Sequence, residues 1–167
     1  YILDAETGSN IQTGDPLQNK VLNASIISGG TNPINDAEVS DDGIIFVCNL
    51  TTSASSAAFK VYMWSGEDAI PTLAISYSGA AVRLGDKFTV TGSFSDNTAI
   101  IWAASATGGA GNTNIYKFTM SGGIFSAVPE IIPLSDNLTG GNPTVGPLPD
   151  GSFYFNSAGI NPKKYSS

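Results

Sequence analysis

Apolar residues along the chain fall in short runs separated by clusters of Gly, Pro, Asn, Asp and Ser. The clearest runs are Ile44 to Leu50, Phe59 to Trp64, Thr72 to Tyr77, Phe88 to Phe94 and Ala99 to Ala104, then Asn114 to Met120, Ala127 to Leu134, Thr144 to Pro147 and Phe153 to Asn156. None repeats at helical spacing, and Gly or Pro interrupts every candidate longer than about ten residues, so each run is read as a β-strand and almost no helix is expected. The stretch Ser40-Asp41-Asp42-Gly43-Ile44-Ile45-Phe46 returns as Ser95-Asp96-Asn97-Thr98-Ala99-Ile100-Ile101-Trp102 and as Pro149-Asp150-Gly151-Ser152-Phe153-Tyr154. In each copy a polar turn feeds a strand. Asp42, Asp96 and Asp150 are accordingly read as turn residues, whose carboxylates serve the local backbone.

The recurrence is periodic. One aromatic column runs through Phe46, Trp102 and Tyr154, at separations of 56 and 52 residues; a second runs through Tyr1, Tyr62 and Tyr116, at 61 and 54. A unit of about 55 residues with four short antiparallel strands reads as a β-propeller blade. A single twisted sheet cannot cover both of its faces, so such blades stack and bury aromatic and branched residues between neighbours. Both columns are therefore expected in the inter-blade core. Packing is also the reading for Trp64 and Trp102, with sugar stacking as the alternative.

The expected fold is all-β, a propeller segment of about three four-stranded antiparallel blades in one domain spanning 1–167. Residues 1–34 end one blade, with Val21 to Ile27 as its fourth strand, 35–78 and 79–134 form two more, and 135–167 form a partial one. A closed ring needs roughly four to eight blades. The ring is thus not closed by this chain alone, and the expected partners are other propeller blades: the same chain before truncation, a second fragment, or further copies in a homo-oligomer.

Composition narrows the chemistry. A 41% hydrophobic share argues against disorder, and 19 glycines with only 13% charged residues suit a loop-rich β-protein. The net charge of −7, with seven scattered Lys and Arg, disfavours nucleic acid and other anionic partners. No apolar run approaches the ~18 residues of a membrane-spanning helix. Cys48 is the only cysteine, which precludes an internal disulfide, and it reads as a small buried hydrophobe. With no histidine in the chain, His-based triads and His metal ligands are excluded within it. Asp36 and Glu38 alternate on one face of a strand, an arrangement compatible with weak acid–base or calcium chemistry, but no EF-hand spacing is present. No catalytic residue, metal site or cofactor is assigned. The links from a fourth strand to the next first strand gather on one face of a propeller, so the candidate binding residues are Asn32, Asp36, Arg83, Asp86 and Asn142.

Tyr1-Ile2-Leu3-Asp4-Ala5-Glu6-Thr7-Gly8 is similar to the strand-and-turn segment of bacterial YVTN or quinoprotein-like propeller repeats. Val39-Ser40-Asp41-Asp42-Gly43, Phe59-Lys60-Val61-Tyr62-Met63-Trp64 and Gly85-Asp86-Lys87-Phe88-Thr89-Val90 resemble an uncharacterised family, a domain of unknown function, of exported propeller-like proteins from Gram-negative bacteria. That resemblance implies a secreted or cell-surface location and a longer parent protein, and carries over no catalytic residue. The expected function is a non-catalytic scaffold or binding module for a glycan or protein. The alternative is a fragment of a propeller hydrolase, lactonase-like or glycan-active, with carboxylates in its channel.

Overall fold

The computed structural model describes residues 22–52, 57–66, 68–79, 83–106, 113–134 and 141–166. Within them every regular element is a strand, and they form three antiparallel sheets. Sheet 1 has the order β1 (Asn32–Val39), β2 (Ile45–Leu50), β3 (Phe59–Trp64) and β4 (Thr72–Tyr77). Sheet 2 runs β5 (Phe88–Thr91), β6 (Ile100–Ala106), β7 (Thr113–Ser121), and β7 then carries both β8 (Ile124–Phe125) and β9 (Glu130–Pro133) on one edge. Sheet 3 is β10 (Thr144–Pro147), β11 (Phe153–Ser157) and β12 (Ile160–Tyr165). No helix among the described residues is long and apolar enough to cross a membrane.

Corresponding registers join the strands of successive sheets. Val47 faces Ala37 and Tyr62 in sheet 1, as Ala103 faces Phe88 and Tyr116 in sheet 2. Because side chains alternate across a strand, the next residue back, Phe46 or Trp102, projects from the opposite face. The two faces meet different neighbours. Phe46, Cys48, Phe59, Val61 and Ile75 of sheet 1 pack with Phe88, Ile101, Tyr116 and Phe118 of sheet 2 in one core. Trp102, Ala104 and Ile115 on the far face of sheet 2 pack with Val145, Phe153 and Phe155 of sheet 3 in a second. Aromatic rings hold both junctions. Phe46 meets Phe125 edge-on at 5.9 Å between centroids, and Trp102 lies 6.3 Å from Phe153.

The first strands of the sheets are also neighbours, β5 touching both β1 and β10. Thr89 Oγ1 on β5 donates to the Val145 carbonyl of β10 at 2.8 Å. Turns are tied across sheets as well. Asp42, in the β1–β2 turn, accepts from Phe94 N (3.0 Å) and Ser95 N (2.8 Å) in the β5–β6 turn, while Ser40 Oγ donates to it at 2.6 Å. Asp150 stays within its own sheet, accepting from Ser152 N at 2.9 Å and pairing with Lys164 Nζ of β12 at 3.6 Å. In the middle copy the acceptor is Asn97, at φ 58°, and it binds Gly123 N; among the described residues the Asp96 side chain has no corresponding bond.

The structure departs from the sequence reading at several places: β5 ends at Thr91 rather than Phe94, and sheet 2 has five strands instead of the expected four. Leu22 to Ile27, expected within a fourth strand, form a turn flanked by irregular backbone; the Ile27 N–H returns to the Ala24 carbonyl at 3.1 Å. Leu22 and Ile27 still cover the outer face of sheet 1, packing on Val47, Tyr62 and Trp64, and Trp64 Nε1 donates to the Asn23 carbonyl at 3.0 Å. The expected strand Ala127 to Leu134 begins only at Glu130, because Gly122 and Gly123, both at positive φ, first fold β7 back onto the short β8. Tyr154 is 46% exposed where Phe46 and Trp102 are buried. Its face of sheet 3 has no following sheet among the described residues, so Tyr154, Asn156 and Lys164 lie open on it. The expectations for Tyr1, for Val21 and the rest of 1–21, for the loop at 108–112, and for residues 80–82 and 139–140 lie outside the described residues.

Candidate functional site

Four of the five candidate binding residues meet at the junction of β1 and the link into β5, and each is engaged with the protein itself. The Asn32 amide donates to Asn35 Oδ1 at 3.1 Å, and Asn35 in turn donates to the carbonyls of Gly85 (2.7 Å) and Asp86 (3.2 Å). Asn35 thereby bridges the two sheets; no sequence motif marks it. Asp36 uses both oxygens, taking Lys87 Nζ at 2.9 Å on one and the Phe88 N–H at 3.2 Å on the other. Arg83 forks onto Asp86, with Nε 2.5 Å from Oδ2 and Nη2 on Oδ1. The Asp86 side chain is only 3% exposed, so its charge is compensated by the two-pronged contact that a guanidinium suits.

Backbone geometry brings these side chains together. Gly85 has φ +89°, and a Cβ there would run into the Asn49 carbonyl on β2. Only glycine lets the link press against sheet 1 at this point. Cys48 Sγ reaches the Gly85 carbonyl at 3.6 Å from within the core. Asn142, two residues before β10, sits in the left-handed region, φ 55°, that asparagine tolerates. Among the described residues no hydrogen bond joins it to the other four.

The electrostatics follow from these pairings. Loss of hydration and then the nearby Asp36 carboxylate raise Glu38 above the ordinary glutamate value, with Lys87 pulling it back. The Asp36 hydrogen bond holds Lys87 more firmly protonated, and Asp86 does the same for Arg83. Burial pushes the Cys48 thiol far up, so it stays a thiol. No group of three metal-ligating side chains occurs among the described residues. The junction is a lattice of satisfied charges whose exposed remainder is the half-exposed Lys87 ammonium and the outer edge of Arg83, which donate, and the Asn32 and Asn142 amides, which both donate and accept.

Comparison with known proteins gives a fold relationship. No protein-family model matches the chain, and no curated protein sequence matches it. Among solved structures it is similar to a DUF4623 family protein from Bacteroides eggerthii, with a TM-score of 0.63 and 18% identity over 87% of this chain and 33% of that one. The chain spans about a third of the length of that neighbour. What the chain has in common with this member of a family of unknown function, from a Gram-negative genus, is therefore its all-β fold.

Proposed function

We propose that the chain is a propeller-like scaffold segment that binds a glycan or protein partner, without catalysis, through the links between its sheets, in a secreted or cell-surface protein. One observation carries the reading: successive sheets pack face to face through repeated aromatic positions, with their first strands β1, β5 and β10 side by side. Stacking of that kind brings the links before each first strand to one end. There Asn32, Asp36, Arg83, Asp86 and Asn142 form the proposed binding surface, with Lys87 added by the structure. Further sheets of the same kind, in the same polypeptide or another, are the proposed structural partners. The charged pairs at the junction fix its shape, and the polar groups left exposed face the partner.

The test is a glycan array and a surface-binding assay with the wild-type chain, Asp36→Ala and Arg83→Ala, each checked for folding by circular dichroism. Binding that is lost in both folded variants, with the glycan recovered unchanged, supports the module. Turnover of a bound glycan that depends on a divalent metal overturns it.

A further inference from the structure

A cleft of about 570 Å³ opens between sheets 2 and 3 at the turn end of β5, opposite the end where the links enter. That volume lies in the range of about 300–1,000 Å³ usual for small-molecule sites. Ile100, Trp102 and Pro147 give it apolar walls; Asp41, Thr91 and Lys117 give it polar groups. None of these belongs to the link-end surface. They are drawn from four strands, β5, β6, β7 and β10, and the β1–β2 turn, so the cleft exists only because the sheets stack.

The state of each polar group defines what fits. Thr91 Oγ1 accepts the Trp102 indole N–H at 3.2 Å, which leaves the hydroxyl proton free to donate. Lys117 lies 5.1 Å over the Trp102 ring and 3.2 Å from the Glu130 carboxylate, so its charge is already compensated. Asp41 is held in place through its backbone, whose N–H donates to the Gly92 carbonyl at 3.0 Å. Its carboxylate has no partner among the described residues. The one uncompensated charge at the cleft is therefore negative, which disfavours an anionic ligand, while a wholly apolar ligand would strip water from Asp41 and Thr91 with nothing in return. A ring with hydroxyl donors on its rim and C–H groups on its face satisfies both kinds of wall.

We infer that this cleft binds a neutral sugar residue, its hydroxyls donating to Asp41 and exchanging hydrogen bonds with Thr91, and its apolar face lying against Ile100 and Pro147, beside the buried edge of Trp102. The chain carries its own reporter. Of its two tryptophans, Trp102 lines the cleft and Trp64 is sealed on the outer face of sheet 1.

The experiment is an NMR titration of the 15N-labelled chain with lactose, maltose and cellobiose, and with glucuronic acid as the anionic comparison, following the two indole N–H signals. The expected result is a saturable shift of the Trp102 signal with at least one neutral disaccharide, while the Trp64 signal stays still. Asp41→Asn, at an exposed side chain with no structural bond, is expected to weaken that binding at least tenfold, as loss of a charged hydrogen bond does. The inference is overturned if no neutral sugar moves Trp102 at tens of millimolar, or if glucuronic acid binds more tightly. It is also overturned if Asp36→Ala abolishes binding and Asp41→Asn leaves it intact, an outcome that locates the sugar at the link end and supports the proposed module there.

Discussion

Asp42 stands fully in solvent yet does more than shape its own turn. Three donors converge on its carboxylate, Ser40 Oγ first and then the amides of Ser95 and Phe94 from the next sheet, and together they hold it well below the ordinary carboxylate range. A depressed folded-state value means that the ionised form contributes stability above the unfolded value, about 3.9 for Asp, and that this contribution is lost as pH falls toward the folded value. Asp42→Asn keeps one acceptor oxygen and loses the charge. Urea denaturation is expected to show the variant less stable than wild type at pH 7, with the gap narrowing below about pH 4. A gap that does not change with pH would mean that the bonds between turns do not depend on the charge. The turn role of Asp42 was legible from its Asp-Gly sequence. Its reach into the following turn was not, because that depends on how two sheets are placed and leaves no trace in local spacing.

Strands are the elements that sequence located best. β3, β4 and β10 have the limits that their apolar runs and flanking Gly, Pro and Ser mark out, since a strand between turn signals has little freedom in length. Leu22 to Ile27 shows where this fails. Leu22 and Ile27 are partly buried while Ile26 is exposed, and the segment covers the face of sheet 1 instead of pairing with its edge; hydrophobicity alone does not separate those outcomes. Tyr154 fails for a related reason, because the burial of a repeated position depends on the element beyond it. That difference is measurable. Phe46→Ala empties a fully buried site against Phe125 and is expected to cost about 3–5 kcal/mol, whereas Tyr154→Ala, at the equivalent exposed site, is expected to stay within about 0.5 kcal/mol. Equal losses in denaturant melts would show that the face of sheet 3 bearing Tyr154 is covered in solution. Neither the cleft beside Trp102 nor the bridging role of Asn35 was legible at this scale, for both are assembled from separate sheets.

Across the whole molecule, sheet 1 packs on one face of sheet 2 and sheet 3 on the other, so the two cores share sheet 2 and little else. In an array of that kind stability is a sum of nearest-neighbour junctions, and one junction can open while the other holds. Cys48 reports on the first of them. It is fully buried in the core between sheets 1 and 2, and burial keeps its thiol protonated, so a thiol reagent reaches it only when those sheets part. Phe46→Ala weakens that same junction by about 3 kcal/mol or more, which corresponds to a rise in labelling rate of roughly 150-fold under native conditions. Phe155→Ala empties an equally buried site, but in the core between sheets 2 and 3. If the junctions are independent, Phe155→Ala leaves Cys48 labelling within about twofold of wild type even though its effect on total stability is similar. Labelling that rises equally in both variants would instead require all three sheets to open as one unit, with strain passed through sheet 2. The contacts that would carry such coupling are the bonds from Asn35 to Gly85 and Asp86 and from Thr89 to Val145, which tie the first strands together at the edge common to both cores.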